Sequence, residues 1–156
     1  MTIAAKLKEF LDNNNVQYSV LTHPEAFTAQ ELAAVAHVRG KELAKSVVVK
    51  ADDRLVLAVL PAPRKIDLNR LSEAVGAREV RLAHESEFGS VFPGCELGAM
   101  PPFGNLFGLE IVVDESLTRD AEIVFHACTH TEAIRMKYED FQRLAKPTIS
   151  DFSIAN

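Results

Sequence analysis

Apolar residues recur every three or four positions at Ile3, Leu7, Phe10 and Leu11, which predicts a first helix capped by Thr2 and ended by Asn13-Asn14-Asn15. Gln17 to Leu21 follows as a strand. Thr28-Ala29-Gln30-Glu31 has capping-box spacing ahead of Leu32, Val35 and Ala36, so a second helix runs from there and gives out by Gly40. The period then changes. Ala44 to Ala51 and Leu55 to Leu60 form a hairpin of two apolar strands, linked by Asp52-Asp53-Arg54 and stopped by Pro61-Ala62-Pro63. Asp67 to Val75 reads as a short helix ended by Gly76, Glu79 to Leu82 as a strand, and His84 to Phe88 as a helical turn closed by Gly89.

From Gly89 to Gly108 five glycines and three prolines fall within twenty residues, a density that leaves no regular element. Leu109 to Val113, Ile123 to Cys128 and Thr131 to Lys137 then read as strands. Tyr138 to Ala145 is a closing helix with Phe141 and Leu144 inward, ended by Lys146-Pro147. Helices and strands mix without strict alternation and no internal repeat is present. The expected class is α+β: one domain over residues 1–156, with a curved, mixed, partly barrel-like sheet surrounded by helices.

Composition narrows the function more than the fold. With 156 residues, 47% hydrophobic and 25% charged, the chain is long enough to hold a core without disulfides or a metal, so Cys95 and Cys128 read as bystanders. Two cysteines, no basic and apolar leader and no apolar run near 18 residues argue against export and membrane insertion, and a cytoplasmic protein is the simplest reading. The net charge of -5 hides an asymmetry: residues 37–81 carry ten basic against six acidic side chains, and the remainder carries -9. That stretch can neutralise a few phosphates while the rest repels a polyanion, so any nucleic-acid binding has a shallow salt dependence; solvated surface charge is the competing reading.

Three features could carry chemistry. Lys45 shares a strand face with Val47 and Val49, so its amine either snorkels to water or aims into a pocket. Gly98-Ala99-Met100-Pro101-Pro102-Phe103-Gly104 combines fixed φ at the prolines with free φ at the glycines; it is either an ordinary loop or one that offers backbone N–H groups to a ligand. His126-Ala127-Cys128-Thr129-His130 invites a zinc reading, but residues i and i+4 of a strand stand roughly 13 Å apart, too far to share an ion unless the chain turns sharply at Thr129. His130, between two strands, reads as a polar group at a pocket rim. A Cys/His nucleophile is disfavoured because both cysteines lie in segments expected to be packed. No phosphate-binding Gly-rich loop, HExxH, dinucleotide fingerprint or GxSxG is present, so common cofactor chemistry loses support.

Taken together, Glu42-Leu43-Ala44-Lys45-Ser46-Val47-Val48-Val49, the loop from Gly98 to Gly104 and Thr129-His130-Thr131-Glu132 resemble the YbaK/prolyl-tRNA synthetase-associated editing domains, from the first helix to Phe141. The resemblance implies a curved mixed sheet and hydrolysis of mischarged aminoacyl-tRNA in trans, with no metal or other cofactor and with help from the substrate's own 2′-OH. It implies Lys45 as the essential lysine, Gly98 and Pro102 as the frame of a G-x-x-x-P substrate loop, and His130 as a pocket-lining histidine. Lys45, Gly98 and His130 are then the catalytic candidates, and Ala99, Met100, Pro101, Pro102, Phe103, Gly104 and Thr131 the substrate-binding ones. The implied partners are the acceptor end of an aminoacyl-tRNA, tRNA-Pro or a related one carrying a small amino acid, and an aminoacyl-tRNA synthetase, but neither DNA nor a membrane. The Pro101-Pro102-Phe103-Gly104 sequence differs from the loop of cysteinyl-tRNA(Pro) editors, so the amino acid removed is left open. A non-catalytic tRNA- or synthetase-binding module is the alternative.

Overall fold

The alternating pattern of residues 44–61 becomes the centre of the largest sheet. A computed structural model of the protein describes residues 3–23, 29–36, 39–93, 95–96 and 98–155, so the Thr2 and Thr28 caps lie outside the described residues. Strands β2 (Ala44–Ala51) and β3 (Arg54–Pro61) pair antiparallel, with Lys45 opposite Leu60. The Asp52-Asp53 turn has Asp52 at φ 53°, and its carboxylate accepts the amides of Arg78 and Glu79. That contact brings strand β5 (Val80–Leu82) onto the free edge of β2. On the other edge β3 pairs parallel with β6 (Glu110–Asp114), and β6 parallel with β9 (Thr148–Ser150).

The sheet is therefore mixed, as expected, but the strands divide into three sheets and do not close into a barrel among the described residues. The second sheet is antiparallel, β1 (Tyr18–Thr22), β8 (Glu132–Lys137) and β7 (Glu122–His126). The third is a short ribbon of β4 (Arg64–Ile66) and β10 (Ser153–Ala155). A single parallel bridge, Leu43 with Val124, joins the lead-in of β2 to β7 and so connects the first two sheets.

Helix periodicity explains the layers. Helix α1 (Ile3–Asn13) turns Leu7 and Leu11 inward, and α5 (Tyr138–Ala145) turns Phe141 inward. Both join the main core with Val48, Leu57 and Val113 of the large sheet and Ile123, Phe125 and Ile134 of the small one. The opposite face of the large sheet is covered by α3 (Leu68–Val75) through Leu71, and by Phe152. Asp67 caps α3 by accepting the amides of Asn69 and Arg70, and Gly76 ends it at φ 67°, as the sequence predicts. Helix α2 (Ala29–Ala36) buries Leu32 against Leu43, Val124 and Ala133. Helix α4 (Glu85–Phe88) is tied to β5 by the two-pronged Arg81–Glu87 ion pair at 2.7 and 2.8 Å.

The stretch from Gly89 to Gly108, expected to lack regular structure, contains one 3-10 turn at Gly104–Phe107. Glycine is required at 104 by close approach, since a Cβ there would lie 3.0 Å from Ile111 Cγ1 and 3.2 Å from the Leu109 carbonyl oxygen. No helix among the described residues is long and apolar enough to cross a membrane.

Candidate active site

Lys45 is the second residue of β2, where the strand leaves the Leu43–Val124 bridge. Its side chain is half-buried, has no ion-pair partner among the described residues, and lies below the ordinary lysine pKa because burial penalises the ammonium. Above it runs the glycine- and proline-rich loop. Gly98 takes φ 84°, a conformation glycine adopts without strain.

The loop is stitched to the turn between β7 and β8. The Glu96 amide donates to the Cys128 carbonyl at 2.8 Å, the Cys128 amide to the Ala99 carbonyl at 2.9 Å, and Cys95 and Cys128 are joined as a disulfide with their Cα atoms 4.3 Å apart. This overturns the reading of the two cysteines as bystanders: the fold brings together residues 33 positions apart.

The turn itself corrects a second expectation. Cys128 adopts φ 74° and the Ala127 amide donates to the Glu132 carbonyl, so β7 ends at His126 and the chain reverses. The rings of His126 and His130 then lie 5.4 Å apart, edge to face, where an uninterrupted strand would have separated them by roughly 13 Å. Among the described residues no three His, Cys, Asp or Glu side chains are grouped to hold a metal ion. His126 is 9% exposed; its ring donates toward the Thr129 backbone, and its other ring nitrogen is buried with no partner among the described residues. Burial, with a smaller push from His130, lowers its pKa to about 4, so it is neutral near pH 7.

These elements enclose a cavity of about 150 Å³ at the seam of the two larger sheets. Residues 43–47 form one wall, Gly98 and Met100 the roof, and His126 the end. Ser46 lines it with an Oγ that is buried and has no hydrogen-bond partner. Met100 separates it from a second cavity of about 200 Å³ bordered by Glu85, Phe88, Phe92 and Glu96. On the outer side of Lys45 lies a groove of Val47, Ile66, Leu68 and Leu82, with Lys65 at its edge.

Of the residues singled out from sequence, Lys45, Gly98 and Met100 meet at this cavity. Ala99 is buried beside it, its amide engaged by the Glu96 carbonyl and its own carbonyl by Cys128. Phe103 is a core residue rather than a wall: it is fully buried and makes edge contacts with Phe10, Phe125 and Phe141 at 5.3–5.9 Å. Pro101, Pro102 and Gly104 are buried within the loop and do not border the cavity. His130 stands behind His126, 5% exposed, not at the rim; its amide donates to Glu96 Oε2 at 3.3 Å. Thr131 is exposed, and its carbonyl accepts the His23 amide. Sequence reasoning missed Ser46, which strand alternation alone assigns to the opposite face, and weighed His126 only as a metal ligand. The signal available for both was a polar residue inside an otherwise apolar run.

The model of the aminoacyl-tRNA editing domain family matches residues 23–144. Over 155 residues, covering 94% of this chain and 90% of the relative, the protein is 33% identical to the multifunctional Ser/Thr-tRNA deacylase ProXp-y of Escherichia coli K12. A proline–tRNA ligase of Bacillus cereus AH187 is 26% identical over 94 residues, which are 60% of this chain and 16% of the ligase. Among solved structures, a candidate trans-editing enzyme for prolyl tRNA synthetase superposes with TM-score 0.83 at 21% identity, covering 99% of both chains. The hypothetical protein APE2540 superposes with TM-score 0.86 at 20% identity, covering 96% of this chain and 99% of the other. A family match over most of its length, a relative of one-third identity and a shared fold agree: the chain belongs to the aminoacyl-tRNA editing domain family.

Proposed function

We propose that the protein hydrolyses the ester of mischarged aminoacyl-tRNA carrying a small amino acid, acting in trans in the cytoplasm without a metal. The observation that carries this reading is the half-buried Lys45 ammonium, without an ion-pair partner among the described residues, beside a cavity of about 150 Å³ in a chain of an editing family. An aminoacyl ester is already activated, so the reaction needs positioning and charge stabilisation rather than a strong protein nucleophile. Water adds to the carbonyl carbon, the tetrahedral oxyanion collapses, and the ribose 3′-oxygen leaves with a proton, giving free amino acid and tRNA.

Lys45 holds the developing negative charge or the adjoining phosphate, and the amides of Gly98 and Met100 roof the reacting carbonyl. The Ala99 amide is excluded from that role, because it is already bonded to Glu96. The ribose 2′-OH positions the water. Met100, His126 and the short side chains of β2 bound the aminoacyl group. The name of the Escherichia coli relative puts seryl and threonyl esters first among the substrates, and the ligase match supports a prolyl-tRNA synthetase as the source of the error.

The test is deacylation of a panel of alanyl, seryl, threonyl, cysteinyl and 2-aminobutyryl esters on tRNA-Pro and related tRNAs, with EDTA present. Turnover of at least one small ester above the uncatalysed rate is expected. Binding of the tRNAs without turnover would leave a non-catalytic binding module.

A further inference from the structure

We propose that Ser46 and His126 read a hydroxyl on the side chain of the aminoacyl group, so that the cavity selects seryl or threonyl over equally sized alkyl side chains. The inference rests on the deacylase reading and deepens it. Two buried polar atoms border one small cavity with no partner among the described residues: Ser46 Oγ and the ring nitrogen of His126 that does not face the Thr129 backbone. A buried polar atom left unpaired is costly, so two at one cavity call for a ligand that pairs them. Their chemistry names the ligand. A neutral imidazole presents one donor and one acceptor, and a serine hydroxyl can do either. A hydroxyl on the ligand also donates once and accepts, so it can bridge the two residues; an ethyl or isopropyl group leaves both atoms unpaired.

The rest of the cavity fits this assignment. Leu43, Ala44 and Met100 supply apolar walls around the two polar residues, which suits a short side chain with one polar tip. Lys45, the neighbour of Ser46 on β2, also borders the cavity, from the opposite face of the strand. Burial keeps His126 neutral, reinforced by His130 and His23, which face it, while the Thr129 backbone and the Glu96 carboxylate, further out beside His130, oppose the shift.

The experiment compares isosteres. Seryl- and 2-aminobutyryl-tRNA differ by hydroxyl against methyl, as do threonyl- and valyl-tRNA, so rate ratios within each pair report the hydroxyl and not size. The wild-type protein is expected to favour the hydroxyl member at least about tenfold, because sites built to pair a hydroxyl discriminate strongly against its absence. S46A and H126F are each expected to lower that ratio about 2- to 12-fold, the value of one hydrogen bond. Because the ratio is internal to each preparation, partial misfolding of H126F does not move it, and S46A removes only an unpaired atom.

Equal wild-type turnover of both members overturns the proposal and leaves the deacylase reading standing. Absence of turnover for every ester removes both. A third arm uses seryl-tRNA ending in 2′-deoxyadenosine. If S46A and H126F alter the ratio of ribose to deoxyribose substrates and not the ratio of isosteres, the hydroxyl being read is the ribose 2′-OH, and the side-chain assignment falls.

Discussion

Removing the Lys45 amine separates its two possible roles, catalysis and packing. Its ammonium has no carboxylate partner among the described residues, so truncation breaks no ion pair, and burial already disfavours its charge. What Lys45→Ala loses from the fold is stem packing on a half-exposed wall beside Val47 and Ile66. At about 0.8 kcal/mol per fully buried methylene, a half-buried stem contributes about 1 kcal/mol, offset in part by relief of the desolvated charge. The expected melting shift is at most about 4 °C for a domain of this size. Activity should respond far more, since deleting one preorganised group that stabilises an oxyanion costs about 100- to 1,000-fold in rate. Lys45→Met keeps the stem and removes the charge, so it should melt like the wild type and share the full loss of rate. The assay is single-turnover deacylation of a labelled seryl-tRNA, with melting followed by circular dichroism on the same preparations. The ammonium is the proposed active form, so the wild-type rate, corrected for spontaneous hydrolysis, should fall as pH rises through a value below the ordinary lysine range. A folded Lys45→Ala or Lys45→Met protein within tenfold of the wild-type rate would refute the assignment.

Met100→Ala should merge the two cavities it separates and raise the rate for larger aminoacyl groups relative to alanyl, by roughly 1–3 kcal/mol per methylene accommodated; an unchanged ratio would put the selecting wall elsewhere. His126 titrates near 4 in the fold against about 6.5 in an unfolded chain, so the unfolded state binds more protons between those values and stability should fall with pH from about 6.5 to 4, by at most about 3 kcal/mol. Urea unfolding at pH 7.5 and 4.5 measures it, and an H126F protein with the same pH dependence would clear His126 of the effect. Reducing the Cys95–Cys128 bridge opens a loop spanning 33 residues, worth about 3–4 kcal/mol on a chain-entropy estimate, so the melting temperature should drop by roughly 10 °C with dithiothreitol. A Cys128→Ser protein that melts with the oxidised wild type would contradict that figure.

The parts of the fold legible in the sequence are those whose pattern outlasts a single turn of chain. The β2–β3 hairpin, α3 between Asp67 and Gly76, and α5 announce themselves through alternation or helical spacing with matching caps. Strands β4, β9 and β10 have three residues each, too few to show a period, and exist because a partner is there. Arg64 reaches Ser153 through its side chain, and the buried Asp114 carboxylate accepts the amides of Phe152 and Ser153 at 3.0 and 2.9 Å. At the site, Lys45 and Met100 stand out locally as an amine on an apolar strand face and a bulky residue in a loop. The pairing of His126 with His130 depends on a left-handed cysteine at 128, a conformation that residue type does not signal. Phe103 looked like a pocket wall because loops are usually superficial, but burial among three other phenylalanines outweighed its loop position.

The cavity lies where two sheets meet at a single bridge, Leu43 with Val124, and the densely packed layers lie to either side of it. Its walls are the first residues of one strand, the last residue of another and a loop; Leu43, Ala44 and Met100 among them belong to the hydrophobic clusters, whereas Ser46 and His126 do not. Replacements at 46 or 126 can therefore reshape the cavity while the hydrophobic layers keep their packing. Shape here outlasts sequence: two neighbours of TM-score above 0.8 retain only about one-fifth of the sequence.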